Sequence, residues 1–327
     1  MLHLPFVALT LALAVLLALA VDYWLGEPRA VFHPVVWMGN YLGWAGAWVQ
    51  RHALQDPALV DLKAFWLAAT AWCAGAAVVL GAAWGLQQVL LALPFGLAAL
   101  GMGFLLKPLL AWAMLQGEVV AVEAALGQSL QAGRERLRWL VSRDVAVLDE
   151  SGVRESAIES LAENLNDSVV APLFWFLVLG LPGAAVYRFA NTADAMWGYP
   201  GVYKGRNWAW AGKWAARADD VLSWIPARAT AVLLLLVSSG FPLQKLRGEA
   251  RRTPSPNSGW PMAAMALALG VCLRKPGVYT LNAPGHAPQG HHLGQAVRLA
   301  SAVVGYTAVG AVAALIALAC FQSGGGF

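Results

Sequence analysis

Uncharged apolar runs recur along the chain at lengths matched to a lipid bilayer, with polar motifs gathered between them. Leu4 to Val21 is an uncharged run of 18 residues, close to the ~20 that a helix needs to cross. Ala64 to Leu106 holds 43 residues without a charge, interrupted only by Gln87-Gln88. It predicts two antiparallel spans, 64–86 and 89–106, joined by a polar turn. Leu299 to Phe321 predicts a final span of 23 residues. Segments 169–187 and 225–243 are also apolar, but Pro172 and Pro182 interrupt the first and Ser238-Ser239-Gly240-Phe241-Pro242 closes the second. Both predict broken or re-entrant helices. Met262 to Leu273 is too short to cross alone. Gly81 and Gly85 form a small-xxx-small pair that would let helices approach closely. Ala18-Leu19-Ala20 imitates a signal-peptide cleavage site, yet no Lys or Arg precedes it, so the first run reads as a retained span.

Composition turns this pattern into a class. Apolar side chains make up 59% of the 327 residues and charged ones 12%, against roughly 25% charged in a soluble domain. That excludes a disordered chain and an ordinary soluble one, and predicts an all-α integral membrane protein folded as one polytopic domain, 1–327. The excess of 22 basic over 18 acidic residues is small and interspersed, which argues against nucleic acid as a partner. Loops 107–168, 188–224 and 244–298 hold six, five and seven Lys/Arg, which places all three on the cytoplasmic side. Were 169–187 and 225–243 both complete crossings, the middle loop would fall on the wrong side, so incomplete crossings are expected there. Cys73, Cys272 and Cys320 each sit in an apolar run without a partner at metal-ligand spacing and read as packing residues.

The most informative polar stretch is Asp149 to Asp167, DESGVRESAIESLAENLND. Glu155, Glu159, Glu163 and Asp167 recur every fourth residue and spread over about 120° of one helix face, with Ile158, Leu161, Leu165 and Val169 opposite. Asp149 is the expected N-cap and Glu150 lies in the first turn. Successive like charges at i, i+4 each cost about 0.2–0.5 kcal/mol, and no Lys, Arg or His follows until Arg188. A basic segment from elsewhere, solvent, or hard divalent cations could neutralise that face; the Asn164 and Asn166 carbonyls are suitable further oxygen ligands. Arg143-Asp144 precedes the helix within reach of its carboxylates.

The next loop, Tyr187 to Arg228, alternates Arg188, Asn191, Asp194, Arg217, Asp219, Asp220 and Arg228. Carboxylates beside guanidinium groups suit a metal-bound polyphosphate, the acids on the metal and the arginine forks on phosphate oxygens. A helical Arg217–Asp220 pair is the plainer alternative. Trp197, Trp208, Trp210, Trp214 and Trp224 form either an interfacial aromatic belt or a platform for a large flat ligand. Asp22, Glu27 and His33 lie in a turn fixed by Gly26, Pro28 and Pro34, readable as a plain connector. Ser255-Pro256-Asn257-Ser258-Gly259-Trp260-Pro261 is a second rigid turn. His286, His291 and His292 match no metal-ligand spacing. No G-x-x-x-x-G-K-[ST], G-x-G-x-x-G, G-x-S-x-G or H-E-x-x-H occurs, which argues against familiar nucleotide folds and hydrolases.

Asp22, GEPRAVFHPV, Arg143-Asp144, ESLAENLNDSVVAPLFW, YRFANTADAMWGY, ARADDVLSWIPAR and SPNSGWP occur in the order seen in the CobD/CbiB family of adenosylcobinamide-phosphate synthases, which the chain resembles from about residue 22 to 310. The resemblance implies a membrane enzyme that uses ATP and Mg²⁺ to join the carboxylate of the corrinoid adenosylcobyric acid to the amine of aminopropanol phosphate or a close analogue. It further implies the cytoplasmic face of a bacterial inner membrane, and other late enzymes of the pathway as partners. Carried over motif by motif, Glu159, Glu163, Asp167 and Asp194 become catalytic candidates, and Glu163, Asp167, Asp219 and Asp220 metal ligands. Asn164, Arg188, Asn191, Arg217, Arg228, Ser255 and Asn257 become candidates for binding ATP or substrate. The chain departs from the family at Glu27, often Asp; at Leu165-Asn166-Asp167-Ser168, where many members read Thr-Val-Asp-Gly; and at Met262, where many carry Glu. Two other classes share the pattern: a regulatory or sensory membrane protein of this fold, and a transporter, whose substrate sites also lie between broken helices. An enzyme requires the 155–167 acids to converge with Asp194, Asp219 and Asp220 in a water-facing pocket; a carrier requires acids near mid-bilayer; a signalling relic leaves them scattered.

Overall fold

The computed structural model describes residues 4–324. In chain order its helices are α1 (Leu4–Leu25), α2 (Pro34–Gln50), α3 (Leu62–Leu91), α4 (Phe95–Leu106), α5 (Trp112–Leu126), α6 (Leu130–Leu137), α7 (Glu150–Leu165), α8 (Ala171–Leu179), α9 (Leu181–Trp197), α10 (Lys213–Leu222), α11 (Trp224–Val237), α12 (Leu243–Ala250), α13 (Gly259–Leu269) and α14 (Gly290–Gly324). A 3₁₀ turn, Lys107–Leu109, follows α4, and a π-turn, Asn166–Val170, links α7 to α8. A further 3₁₀ turn, Ala30–Phe32, precedes α2, and there are two small antiparallel hairpins, β1 (Val202–Tyr203) with β2 (Arg206–Asn207) and β3 (Leu273–Lys275) with β4 (Tyr279–Leu281).

Four helical stretches are long and apolar enough to cross a membrane: Pro5–Leu25, Leu62–Leu91, Phe95–Leu126 and Gly290–Phe321. Their surfaces fit that role, since Trp66, Val78, Trp84 and Val89 of α3 are all exposed, a band that belongs against lipid and not water. The protein is an all-α, multi-pass membrane protein. Segment 169–187 is broken as expected, by the π-turn and again at Gly180, and α11 reaches spanning length only when joined to α10 across Ser223.

The polar turn is not at Gln87-Gln88. Helix α3 runs on to Leu91 and the chain turns at Ala92–Pro94. Gln87 is tolerated because its Oε1 accepts the Leu181 N–H at 2.8 Å, one of the donors that a helix start leaves open. Gly180, at φ +70°, makes this approach possible; a Cβ there would run into the Gln87 amide. Gly81 and Gly85 are not at a helix contact, since a Cβ on either would meet nothing within 4 Å.

The chain folds as two compact units. The first comprises the chain through Leu110, Ala171–Leu222 and the chain from Ala311. In it α1 packs on α4 through the small residues Ala14, Ala18, Ala98 and Ala99, all fully buried, and α2, α3 and α10 pack around α9. The second comprises Ala111–Val170 and Ser223–Gly310. Here α7 is contacted by α5, α6, α13 and β3, and every residue from Glu155 to Ala162 is buried. Asp149 caps α7 as expected, accepting the Gly152 N–H at 2.7 Å. The expected two-faced helix is instead enclosed all round, its acidic face turned into protein.

Candidate functional site

Burial of the acidic face demands partners, because a charge removed from water without a counter-charge costs several kcal/mol. Two of the four acids take theirs from distant arginines. Glu155 receives Arg274 in full: the guanidinium reaches Oε1 at 2.7 Å and the Arg274 backbone N–H reaches Oε2 at 2.8 Å. This pins the β3–β4 hairpin onto α7. Glu159 accepts from Arg143 Nη2 at 2.6 Å. Of the three ways to neutralise the face, the basic segment from elsewhere is therefore the one that serves Glu155 and Glu159. Glu155→Gln is expected to cost about 1.5–3 kcal/mol, the worth of a hydrogen bond to a charged group, towards the low end because Arg274 is 53% exposed. Hydrogen exchange of residues 273–281 reads the loosened hairpin directly; unchanged protection would refute this role.

Glu159 sits at the wall of a polar cavity of about 330 Å³, to which Arg143, Glu163, Asn164, Ser255 and Tyr279 also contribute. Burial raises the Glu159 carboxyl above its usual range, and the attraction of Arg143 offsets this only in part. Burial and the adjoining Glu159 carboxylate likewise push the Tyr279 hydroxyl up; that hydroxyl also donates to Met262 Sδ at 3.8 Å. Asn164 donates its amide to the Ser160 carbonyl at 2.9 Å, which leaves its carbonyl oxygen as the ligating atom. Ser255 Oγ accepts the Asn257 and Ser258 N–H groups, both at 3.2 Å, and so shapes the turn before α13.

Other expected site residues have different places. Arg228 does not face the cavity: it donates to Asn257 Oδ1 at 2.8 Å and to the Trp224 and Pro256 carbonyls, between the Trp224 and Trp260 rings. It braces the 255–258 turn from behind. Asp167 is carried off the α7 face by the π-turn, where Asn166 donates to its Oδ1 at 2.7 Å and accepts from Thr230. In the first unit, Arg188 donates to Asn191 at 3.2 Å and Asn191 donates to Asp219 Oδ1 at 3.4 Å, joining α9 to α10. Asp194 accepts the Gly198 N–H through its carbonyl at the end of α9, Asp220 is half-buried on α10, and Arg217 is exposed. The acids of α7 and the set Asp194, Asp219 and Asp220 thus belong to different units. Among the described residues, no three His, Cys, Asp or Glu side chains gather at one point.

Trp197 and Trp208 stack on each other in the buried interior, while Trp210 carries Lys213 and Trp224 carries Arg228. His291 and His292 stack at the start of α14, where His292 accepts the Gln289 N–H.

The Asp22–His33 turn is more than a connector. Lys107, 2% exposed, lies 3.3 Å from Asp22, 1% exposed, and 2.8 Å from Glu27, which in turn meets His33 at 3.1 Å. Lys107 went unread, although a single cation ending a 43-residue uncharged run needs an acid partner. Lys275 and Tyr279 also escaped, in strands too short to show a period of two.

A sequence model of the CobD/Cbib protein family matches residues 15–309. A protein of Thermococcus kodakarensis named "Probable cobalamin biosynthesis protein CobD" is 42% identical over 284 residues, 87% of this chain and 89% of that protein. The cobalamin biosynthesis protein CobD of Chromobacterium violaceum is 40% identical over 303 residues, covering 88% and 91% of the two chains. That of Stutzerimonas stutzeri is 37% identical over 309 residues, covering 90% and 94%. No solved structure matches. The family match spans both units and every motif around the polar cavity, and the chain therefore belongs to the CobD/CbiB family, whose named members serve cobalamin biosynthesis.

Proposed function

We propose that this protein is an ATP- and Mg²⁺-dependent amide ligase that joins adenosylcobyric acid to aminopropanol phosphate, or a close analogue, on the cytoplasmic side of a bacterial inner membrane. The observation that carries this reading is the polar cavity of the second unit, where three separate family motifs, at Arg143, at Glu159–Asn164 and at Ser255, line one small space. The chemistry needs such a place. A carboxylate is a poor acylating agent until the γ-phosphoryl group of ATP is transferred to its oxygen, with ADP leaving; the amine nitrogen then attacks the acyl carbon, phosphate leaves, and the ammonium proton must go to a base. Glu159, buried and with a raised pKa, is suited to take that proton.

Mg²⁺, when bound, would draw charge from phosphoryl oxygens. It is held in most phosphate-handling sites by one or two carboxylates plus the phosphates, a set that Asp219 and Asp220 on α10 can supply. Arg188 and Asn191 are the candidates for nucleotide phosphate in the first unit. The acids Glu155 to Asp167 lie in none of the four candidate spans, which favours an enzyme over a carrier. Glu159 and Glu163, together on the wall of one cavity, favour it over a regulatory relic.

The test is ligation by purified protein in nanodiscs, followed by mass detection of adenosylcobinamide phosphate and by stoichiometric ADP. Asp219→Asn, at the acid that Asn191 meets at 3.4 Å, is expected to lower turnover about 10–100-fold, the range for a group that orients a ligand. No product from the wild type with all substrates saturating would overturn the reading.

A further inference from the structure

We propose that the cavity of the second unit is the seat of the amino-alcohol phosphate, with Lys275 and Arg143 on its phosphate and Glu163 on its ammonium. This rests on the ligase reading and assigns one of its substrates a place. Size comes first: at about 330 Å³ the cavity is at the small end of ligand pockets, which run from about 300 to 1,000 Å³. A corrin ring bearing an adenosyl group does not fit such a space; a three-carbon phosphoamine does.

Charge comes second. The wall carries both signs, Arg143 and Lys275 against Glu159 and Glu163, which complements a zwitterion rather than a simple anion or cation. Arg143 commits Nη2 to Glu159, while its Nη1 is buried without a hydrogen-bond partner. A buried donor of that kind is costly until an acceptor arrives, and a phosphate oxygen is a strong one. Ser258, which makes no cap bond with its side chain at the start of α13, adds a hydroxyl to the same wall.

Placement of Lys275 comes third. In the hairpin register Lys275 is directly opposite Tyr279, so both side chains leave the same face, and both line the cavity. The Glu155–Arg274 pair fixes that hairpin on α7. The ion pair next door thus has a purpose beyond stability, since it holds Lys275 over the pocket.

The test is calorimetric titration of the full-length protein in nanodiscs with no corrinoid present, using 1-amino-2-propanol phosphate, 1-amino-2-propanol, inorganic phosphate and ATP as probes. The phosphoamine is expected to bind at least tenfold more tightly than the free amine. Lys275→Met, at an exposed position, is expected to weaken phosphoamine binding about tenfold and erase that preference, while Lys275→Arg restores it. Glu163→Gln should weaken the phosphoamine but leave inorganic phosphate unchanged. Wild-type affinity in Lys275→Met, at an unchanged unfolding temperature, would overturn the assignment, as would competitive displacement of the phosphoamine by ATP. The ligation assay separates the two proposals. Binding that depends on Lys275 without ligation keeps the site and removes the reaction. Ligation with an unchanged KM for the phosphoamine in Lys275→Met keeps the reaction and removes the site.

Discussion

Lys107→Met is expected to destabilise the protein by about 3–5 kcal/mol, the cost of removing one member of a buried ion pair and leaving the other charged. The methionine fills the space of the lysine stem, so the loss is electrostatic. Asp22 and Glu27 would then lose the cation they share. For a chain of this size the unfolding midpoint in nanodiscs should fall by roughly 6 °C or more. Neutralising the stranded acid in Lys107→Met/Asp22→Asn should recover much of the loss, because an uncharged pair of similar volume is often as stable as the ion pair it replaces. The pH dependence gives a second check. Burial raises the Glu27 carboxyl, but the bonds from His33 and Lys107 outweigh it and leave the pKa below the ordinary 4.5. A depressed acid contributes stability that is present above its unfolded pKa and lost as pH falls through its folded one. The gap between wild type and Lys107→Met should accordingly narrow below about pH 4.5, where the wild type loses what the variant never had. Equal midpoints at neutral pH would show that the cluster contributes nothing.

This cluster also marks where sequence reasoning stops. The outer spans, the cap at Asp149 and the interruption of 169–187 are local events, written in runs of apolar residues, one capping side chain and two prolines. The site motifs were legible because each is a short polar string between apolar segments. What could not be read was which charge answers which. Glu155 and Arg274 are separated by 119 positions, and Arg143 reaches Glu159 only because the segment between α6 and α7 folds back onto α7. An acidic face without local partners had three physical resolutions, and choosing among them needs the fold. Gln87-Gln88 misled for the same reason: a polar pair in an apolar run ends a helix in water, but here one amide serves the start of another helix. The four-residue spacing of the acids also assumed one uninterrupted helix, and the π-turn at Asn166–Val170 takes Asp167 out of that phase. Arg228, a charge within a site motif, holds the 255–258 turn through its bond to Asn257, a contact 29 positions away that no local pattern announces.

Glu159→Gln is expected to lower kcat/KM for ligation by about 10²–10⁴, the range for a general base, with a much smaller effect on the affinity for the phosphoamine. Gln keeps the shape and can still accept from Arg143, whose side chain is 22% exposed and so partly hydrated, and the fold should persist. The wild-type pH profile provides the sharper discrimination. Because burial holds the Glu159 carboxyl above its usual range even with Arg143 beside it, it takes up a proton at a higher pH than an exposed glutamate. Activity that requires the ionised form should therefore fall on the acid side well before ordinary carboxylates titrate. Arg143→Met removes the strongest neighbour that favours ionisation, leaving the Tyr279 hydroxyl as the lesser one, and the acid limb should move to still higher pH; Arg143→Lys should return it towards the wild-type position. A residue that merely supported the fold would lower activity equally at every pH. If the acid limb stays in place in Arg143→Met, Glu159 is not the group that titrates, and the proton acceptor must be sought in Glu163, the other carboxylate on the same wall.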